Sequence, residues 1–421
     1  MEPREVQLAR QPGAFLLLSA QHLLAMFGAT VLVPILTGLD PAVALLTAGL
    51  GTLLFHALTG GKVPVFLGSS FAFIPAIIAV RERFGLPYAT GGIVVAGLVY
   101  VLVAALAAVF GPDRIRRLIP GEVAGSIIMV IGLTLTPVAW EMAREHWAIA
   151  GITIAAVAAV LVWGRGILRT LPVMIGLGVG SLAAWGFGRL DTTPVAAAPW
   201  LQFPDLMAPA FRWEAILMVA PMAFITCIEH IGDITANGAV VGQNFFRSPG
   251  LHRTLLGDGL ATSLAGLLGG PANTTYAENT GVLALTRVYN PAILRGAAVG
   301  AIALSFLGKL AAVLQSIPTP VLGGISLVLF GMIAGIGART FGQARRSLRS
   351  FVIGGTVLAL GLAPAVSDAL GTANPIALRL WGDFTLEGLS LAALAGILLN
   401  LCWPGAGESE PSPVVGEASA V

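Results

Sequence analysis

Charge is scarce in this chain. Only 10% of its 421 residues are Asp, Glu, Lys or Arg, against about 25% in an ordinary soluble domain, so a fully water-exposed surface is excluded. Cysteine is nearly absent too. Cys227 and Cys402 lie in apolar segments far apart in sequence, too few for a disulfide framework or a thiolate metal site, and both are assigned to packing. No small-residue cleavage site follows the apolar stretch from Phe15 to Leu36, which therefore reads as a first span behind a cytoplasmic tail and not as a removable leader. Glu229-His230-x-x-Asp233 has no companion such as His-Glu-x-x-His, which argues against an intramembrane metal enzyme. No metal, resident cofactor or nucleic-acid partner is expected, and a net charge of +2 decides nothing further.

What is present is apolar. Hydrophobic residues make up 56% of the chain, in runs near the ~20 residues that cross a hydrocarbon core of about 30 Å. Fourteen candidate spans begin near residues 14, 40, 62, 88, 118, 147, 169, 213, 251, 272, 291, 318, 349 and 384. With a cytoplasmic N-terminus, 16 of the 23 Lys and Arg residues, among them Arg4, Arg10, Arg114, Arg116, Arg117, Arg345, Arg346 and Arg349, fall in cytoplasmic segments, as the positive-inside bias requires. The fold class expected is an all-α polytopic membrane protein with both termini cytoplasmic.

The chain also resembles itself at half its length. Gly49-Leu50-Gly51-Thr52 recurs as Gly259-Leu260-Ala261-Thr262, Ile119-Pro120-x-x-Val123 as Ile317-Pro318-x-x-Val321, and Gln21-His22 as Glu229-His230. Seven spans per half is odd, so the second half enters the membrane with opposite polarity, giving two inverted seven-span repeats of the kind found in secondary transporters.

Two matching segments are poor helices. Val63 to Phe71 in span 3 and Gly269 to Tyr276 in span 10 combine Pro, Gly and hydroxyl or β-branched residues, which favours short extended strands, each followed by a half-helix. Such strands satisfy one another if they pair antiparallel, leaving helix N-termini with free N–H donors facing a small polar ligand. Nearby stand Glu229 and Glu278, set in apolar flanks. A carboxylate at bilayer depth costs roughly 2.5 to 3.5 kcal/mol and so marks a substrate or proton site.

At these residues the chain resembles the nucleobase–ascorbate transporter family, and within it the bacterial uracil permeases. The stretches that carry the likeness are Gln21 to Pro34, Gly68-Ser69-Ser70-Phe71-Ala72-Phe73, Glu229-His230-Ile231-Gly232 and Asn273-Thr274-Thr275-Tyr276-Ala277-Glu278-Asn279-Thr280-Gly281. The resemblance implies a cytoplasmic tail (1–13), a core domain (14–112 and 213–316, spans 1–4 and 8–11), a gate domain (113–212 and 317–403, spans 5–7 and 12–14), and usually a homodimer in the inner membrane. The remaining tail, 404–421, is small, polar and Pro-rich and is expected to be disordered.

The resemblance further implies proton-coupled uptake of a nucleobase, most closely uracil, by alternating access, with a co-transported proton in place of any cofactor. Carried over, Glu229 and Glu278 bind the ring, backbone at Phe71 and Ala277 bonds its polar edge, Tyr276 lines the site, and Phe330 approaches from the gate. Asp233 stands where uracil permeases carry His, and Ala277 where they carry Gly, which leaves a xanthine or uric acid permease, or an anion transporter of the same fold, as alternatives. Glu278 argues for a pyrimidine, since purine carriers of the family have Gln there. A lactam ring offers adjacent N–H and C=O groups, so a carboxylate acceptor beside backbone donors suits it. Acids taken out of water and crowded by other acids hold protons more readily, so one of Asp233 and Glu278 is expected to take the transported proton, with His22 orienting Glu229 by a hydrogen bond.

Overall fold

The computed structural model describes residues 11–111, 121–343, 347–372, 374, 376–381 and 384–403. Arg4, Arg10, Arg114, Arg116, Arg117, Arg345, Arg346, the Ile119-Pro120 half of one repeat and the 404–421 tail lie outside the described residues.

Pro12–Thr37 (α1) and Pro41–Leu58 (α2) lead into strand Leu67–Ser69 (β1), a 3-10 turn Phe71–Phe73, half-helix Ile74–Arg83 (α3) and helix Leu86–Phe110 (α4). Gly121–Arg144 (α5), Trp147–Trp163 (α6), Pro172–Gly186 (α7) and the short Thr193–Ala197 (α8) follow. Trp213–Val219 (α9) runs on into Met222–Val241 (α10), and then come Leu251–Leu267 (α11), strand Asn273–Thr275 (β2), half-helix Ala277–Thr286 (α12) and Pro291–Ser305 (α13). The chain continues through Gly308–Gln315 (α14), Thr319–Gln343 (α15), Leu348–Leu370 (α16), the hairpin Leu378–Trp381 (β3) with Phe384–Leu386 (β4), and Gly388–Cys402 (α17). An element starts within five residues of every expected span. Among the described residues, α1, α2, α4, α5, α9 with α10, α15 and α16 are each apolar and at least 18 residues long, or roughly 27 Å at 1.5 Å per residue.

Local chemistry sets several boundaries. Asp40 Oδ1 accepts from Ala42 N at 2.8 Å ahead of Pro41, and Asn290 Oδ1 from Ala292 N at 2.9 Å ahead of Pro291, an N-cap followed by proline at the first helical position in both cases. Lys309 extends to the carbonyls of Val195 and Ala196 at the end of α8, as long cations at helix ends do.

β1 and β2 pair antiparallel, Leu67 with Thr275, Gly68 with Thr274 and Ser69 with Asn273. Two bonds extend the ladder, from Ser70 N to Ala272 O at 2.9 Å and from Tyr276 N to Phe66 O at 3.0 Å. A strand pair this short leaves outer-edge groups that lipid cannot satisfy. Side chains do so instead. Thr52 Oγ1 accepts from Leu67 N at 2.9 Å, Thr262 Oγ1 donates to Asn273 O at 2.8 Å, and Asn273 Nδ2 reaches Thr47 O at 3.0 Å. His56 Nε2 lies 2.8 Å from Val65 O, and Asn237 Nδ2 donates to Pro64 O at 3.0 Å. Gly68 admits the Tyr276 ring, whose Cζ sits 2.4 Å from where a Cβ would stand.

Helices α1, α2, α10 and α11 pack on the strand pair, with α3, α4, α9, α12 and α13 packed chiefly on those helices and on one another, while α5, α6, α7, α15, α16 and α17 pack chiefly on one another. In the second group α5 and α15 approach so closely that a Cβ on Gly125 would fall 2.4 Å from Phe341 N, and one on Gly337 2.4 Å from Met129 N, the small-residue contact by which apolar helices associate without a hydrophobic driving force.

Candidate functional site

Because β1 and β2 are antiparallel and each feeds a half-helix, α3 and α12 leave the strand pair toward opposite faces of the bundle. Both half-helices begin without a side-chain cap, at Ser70 before the Phe71 turn and at Tyr276 before Ala277, so unpaired N–H groups and positive partial charge meet the middle of the protein. Phe71 is half-buried and Ala277 accessible.

The acids gather here. Glu229 and Asp233 sit four residues apart on α10 and so share a face, and Glu278 is in the first turn of α12. Glu229 and Glu278 are both accessible. They lie near enough to act electrostatically on one another, and both act on Asp233. Asp233 Oδ2 accepts from Thr275 Oγ1 at 2.9 Å, which ties α10 to β2. One helical step further, Asn237 bonds Thr280 at 3.2 Å as well as Pro64.

Two cavities lie against the half-helices. One of about 450 Å³ lies against α12, lined by Glu278, Gly281, Arg169, Leu329 and Met332 among others. The second, about 330 Å³, lies against α3, with Ala76, Arg83, Thr134, Asp368 and Glu387 in its wall. Glu229 lines neither of these two.

Three expectations need correction. Among the described hydrogen bonds His22 meets Asn279 and not Glu229. Its Nδ1 is 3.1 Å from Asn279 Nδ2, which also donates to the His22 carbonyl at 3.0 Å. An amide nitrogen only donates, so Nδ1 is the acceptor and the ring proton sits on Nε2. Tyr276 is buried, its hydroxyl donating to Ser69 O at 2.9 Å and accepting from Thr30 Oγ1 at 3.3 Å, so it braces β1 and does not line an open site. Phe330 is buried at 1% exposure with its backbone against Gly132, and α15 presents Leu329 and Met332 to the Glu278 cavity instead.

Sequence reasoning missed Asn279, Thr275 and Asn237. Asn237 was signalled by its i, i+4 spacing from Asp233, whereas Asn279 and Thr275 gave no sign of their partners. Behind Glu229, His230 Nδ1 stands 3.2 Å from Asp258 Oδ2 with both side chains fully buried, a bridge between α10 and α11.

A family model described as "Permease family", that of the xanthine and uracil permeases, matches residues 13–370. The chain belongs to the nucleobase–ascorbate transporter family. It is 44% identical over 411 residues to a uracil permease of Bacillus caldolyticus, with 93% of each chain covered. It is also 38% identical to the uracil permease of Escherichia coli K12, covering 95% of this chain and 94% of that one, and 40% identical to the putative pyrimidine permease RutG of the same organism, covering 91% and 88%. Among solved structures, the transmembrane domain of the cyanobacterial bicarbonate transporter BicA superposes with a TM-score of 0.60 at 15% identity, covering 95% of this chain and 98% of that one. SLC26A9 superposes with a TM-score of 0.66 at 12% identity, covering 92% and 64%. At such identities the likeness is one of fold. Family membership and the apolar helices make this a multi-pass membrane permease and not an enzyme.

Proposed function

We propose that this permease carries out proton-coupled uptake of a nucleobase, uracil in the first instance, by alternating access. The observation that carries the reading is the placement of Glu229 and Glu278 as interior-facing acids beside two uncapped half-helix N-termini. Carboxylate acceptors next to backbone donors match the alternating N–H and C=O edge of a lactam, and the names of the similar proteins support a pyrimidine. Fourteen crossings in two inverted repeats, a core of spans 1–4 and 8–11, a gate of spans 5–7 and 12–14, a homodimer and an inner-membrane location with cytoplasmic termini complete the proposal.

In this scheme Glu229 accepts from a ring N–H, the free N–H groups near Phe71 and Ala277 meet ring carbonyls, and Glu278 accepts from the second ring N–H or donates when protonated. The proton is assigned to Asp233 or Glu278. Asp233 is the acid held by a threonine hydroxyl, which leaves it a defined position in either charge state. His22, whose ring nitrogen meets an amide of α12, is assigned to positioning that half-helix.

The test is uptake of labelled uracil into proteoliposomes under an imposed pH gradient, with xanthine, urate and bicarbonate as competitors. Accumulation that needs the gradient and yields only to pyrimidines is expected. Competition by xanthine or bicarbonate equal to that of unlabelled uracil would overturn the substrate assignment. Asp233→Asn is expected to retain uracil binding while losing gradient-driven accumulation, and an unaltered response of uptake to pH in that variant would remove Asp233 from the proton path.

A further inference from the structure

The two packing groups of helices are joined by little ionic chemistry. Among the described residues the ion pairs are Arg81 with Glu82, Arg144 with Glu141, Arg212 with Glu214, His230 with Asp258, Arg349 with Glu122, and Arg83 with Glu387. The first four of these bind neighbours in sequence or helices around the strand pair, and Arg349 with Glu122 joins α16 to α5 within the second group. Only Arg83 with Glu387 spans the two. Arg83 is the last residue of half-helix α3, and Glu387 directly precedes α17.

The geometry is complete on the carboxylate side. Arg83 Nη2 donates to Glu387 Oε1 at 2.9 Å, and Asn374 Nδ2, from the connection after α16, donates to Oε2 at 2.9 Å. Beneath this contact the groups meet only in part, with Ser390 Oγ of α17 donating to Met218 O of α9 at 3.1 Å. They leave the cavity of about 330 Å³ walled by Pro75, Ala76 and Ala79 of α3 on one side and by Gly361, Pro364 and Asp368 of α16 on the other. A polar tie thus crosses the mouth of a gap, at the end of the molecule opposite the Glu278 cavity.

We propose that Arg83, Glu387 and Asn374 form a latch that holds this second face closed while the Glu278 cavity stands open, and that the latch must part for the transport cycle to expose the site to the other side. The inference rests on the alternating-access reading above. Both partners retain contact with water, the Arg83 side chain at 46% and that of Glu387 at 26% exposure. Ion pairs of that kind are individually weak, so this one biases the equilibrium between two arrangements without freezing it, as a reversible gate requires. Asn374 adds direction, because it keeps the carboxylate facing Arg83 when α16 and α17 move together.

Two measurements on the full-length protein test the latch. In the first, a cysteine replaces Ala79 in a Cys402→Ser background, and its reaction rate with a water-soluble thiol reagent is followed in detergent without any nucleobase. Neutralising the tie with Arg83→Gln is expected to raise labelling about two- to fivefold, the range of an exposed ion pair, and the exchange Arg83→Glu with Glu387→Arg to return it toward the parent value. Equal labelling in parent, Arg83→Gln and exchange proteins would overturn the proposal. In the second, Arg83→Cys and Glu387→Cys are joined by a reducible cross-linker as long as the two side chains they replace. Uracil uptake is expected to cease on cross-linking and to return on reduction, while uracil binding by the solubilised protein persists. Uptake at the uncross-linked rate would overturn the latch. Failure of the nucleobase reading is separable, because it would remove uracil binding from the parent protein and leave the labelling result intact.

Discussion

Half-helices α3 and α12 each follow a three-residue strand of one antiparallel pair, but they are not equivalent in chemistry. α12 opens with Ala277 and Glu278, and its accessible face lines the larger cavity. α3 opens with the aromatic turn Phe71–Phe73, has no acid in its first turn, and its far end is tied by Arg83 to Glu387 above the smaller cavity. Two helix N-termini with similar backbone donors thus differ in what accompanies them, a carboxylate in the first turn of one and an arginine–glutamate tie at the far end of the other. A strand pair whose two halves are alike in backbone can therefore carry unlike side-chain chemistry at its two ends.

The strongest way to break this comparison is to remove the acceptor. Glu278→Gln on α12 and Glu229→Gln on α10 should each weaken uracil binding by about 100-fold or more, since a site made to hydrogen-bond a polar ligand suffers most when a buried partner is lost. Phe71→Ala, at the start of the other half-helix, should weaken it by only about tenfold or less, because its contribution to the polar edge is backbone and survives the change. Isothermal titration of the three purified variants decides the matter. Equal losses at Glu278 and Phe71 would mean that both half-helices act through their side chains and that the asymmetry is illusory.

A smaller effect is expected where the repeats remain alike. Thr52 and Thr262 occupy the same place in Gly-Leu-Gly-Thr and Gly-Leu-Ala-Thr, and each holds the strand of its own half. Thr52 satisfies the N–H of Leu67 in β1 at 2.9 Å and donates to that residue's carbonyl only at 3.4 Å, whereas Thr262 satisfies a carbonyl of β2. Orphaned N–H groups are rarer in native proteins than under-satisfied carbonyls, so Thr52→Val should destabilise more than Thr262→Val, within a range of about 1–3 kcal/mol for a buried partner left unmade. Thermal unfolding in detergent with both variants side by side gives the order.

These threonines also show what the sequence made legible. Self-similarity flagged them without revealing their task, because a repeat marks that a position matters to both halves and is silent about its partner. The broken segments at Val63 to Phe71 and Gly269 to Tyr276 were readable from Pro and Gly, which act on the local backbone. So was the shared face of Glu229 and Asp233, which is helical arithmetic. His22 with Asn279 and Asp233 with Thr275 were not readable, since each joins elements 42 or more residues apart and no spacing encodes such a contact. Phe330 failed for a related reason. Periodicity groups Leu329 with Met332 on one side of α15 and Phe330 on another, yet which side meets the cavity is set by packing against α5.

Tyr276 gives the finest discrimination. If it lined the site, losing its hydroxyl would strip a ligand contact and weaken uracil binding as severely as losing a carboxylate. The structure spends that hydroxyl on Ser69 O and Thr30, with the ring filling the space that Gly68 leaves. Tyr276→Phe should therefore lower stability by about 1 kcal/mol, the net worth of an ordinary intramolecular hydrogen bond, and change uracil affinity by no more than about threefold, because β1 keeps its ladder to β2 and only its brace is lost. A Tyr276→Phe protein of parental thermal stability but greatly reduced affinity would reverse the assignment, return Tyr276 to the ligand, and make the α12 side of the comparison richer in side-chain contacts than the geometry indicates.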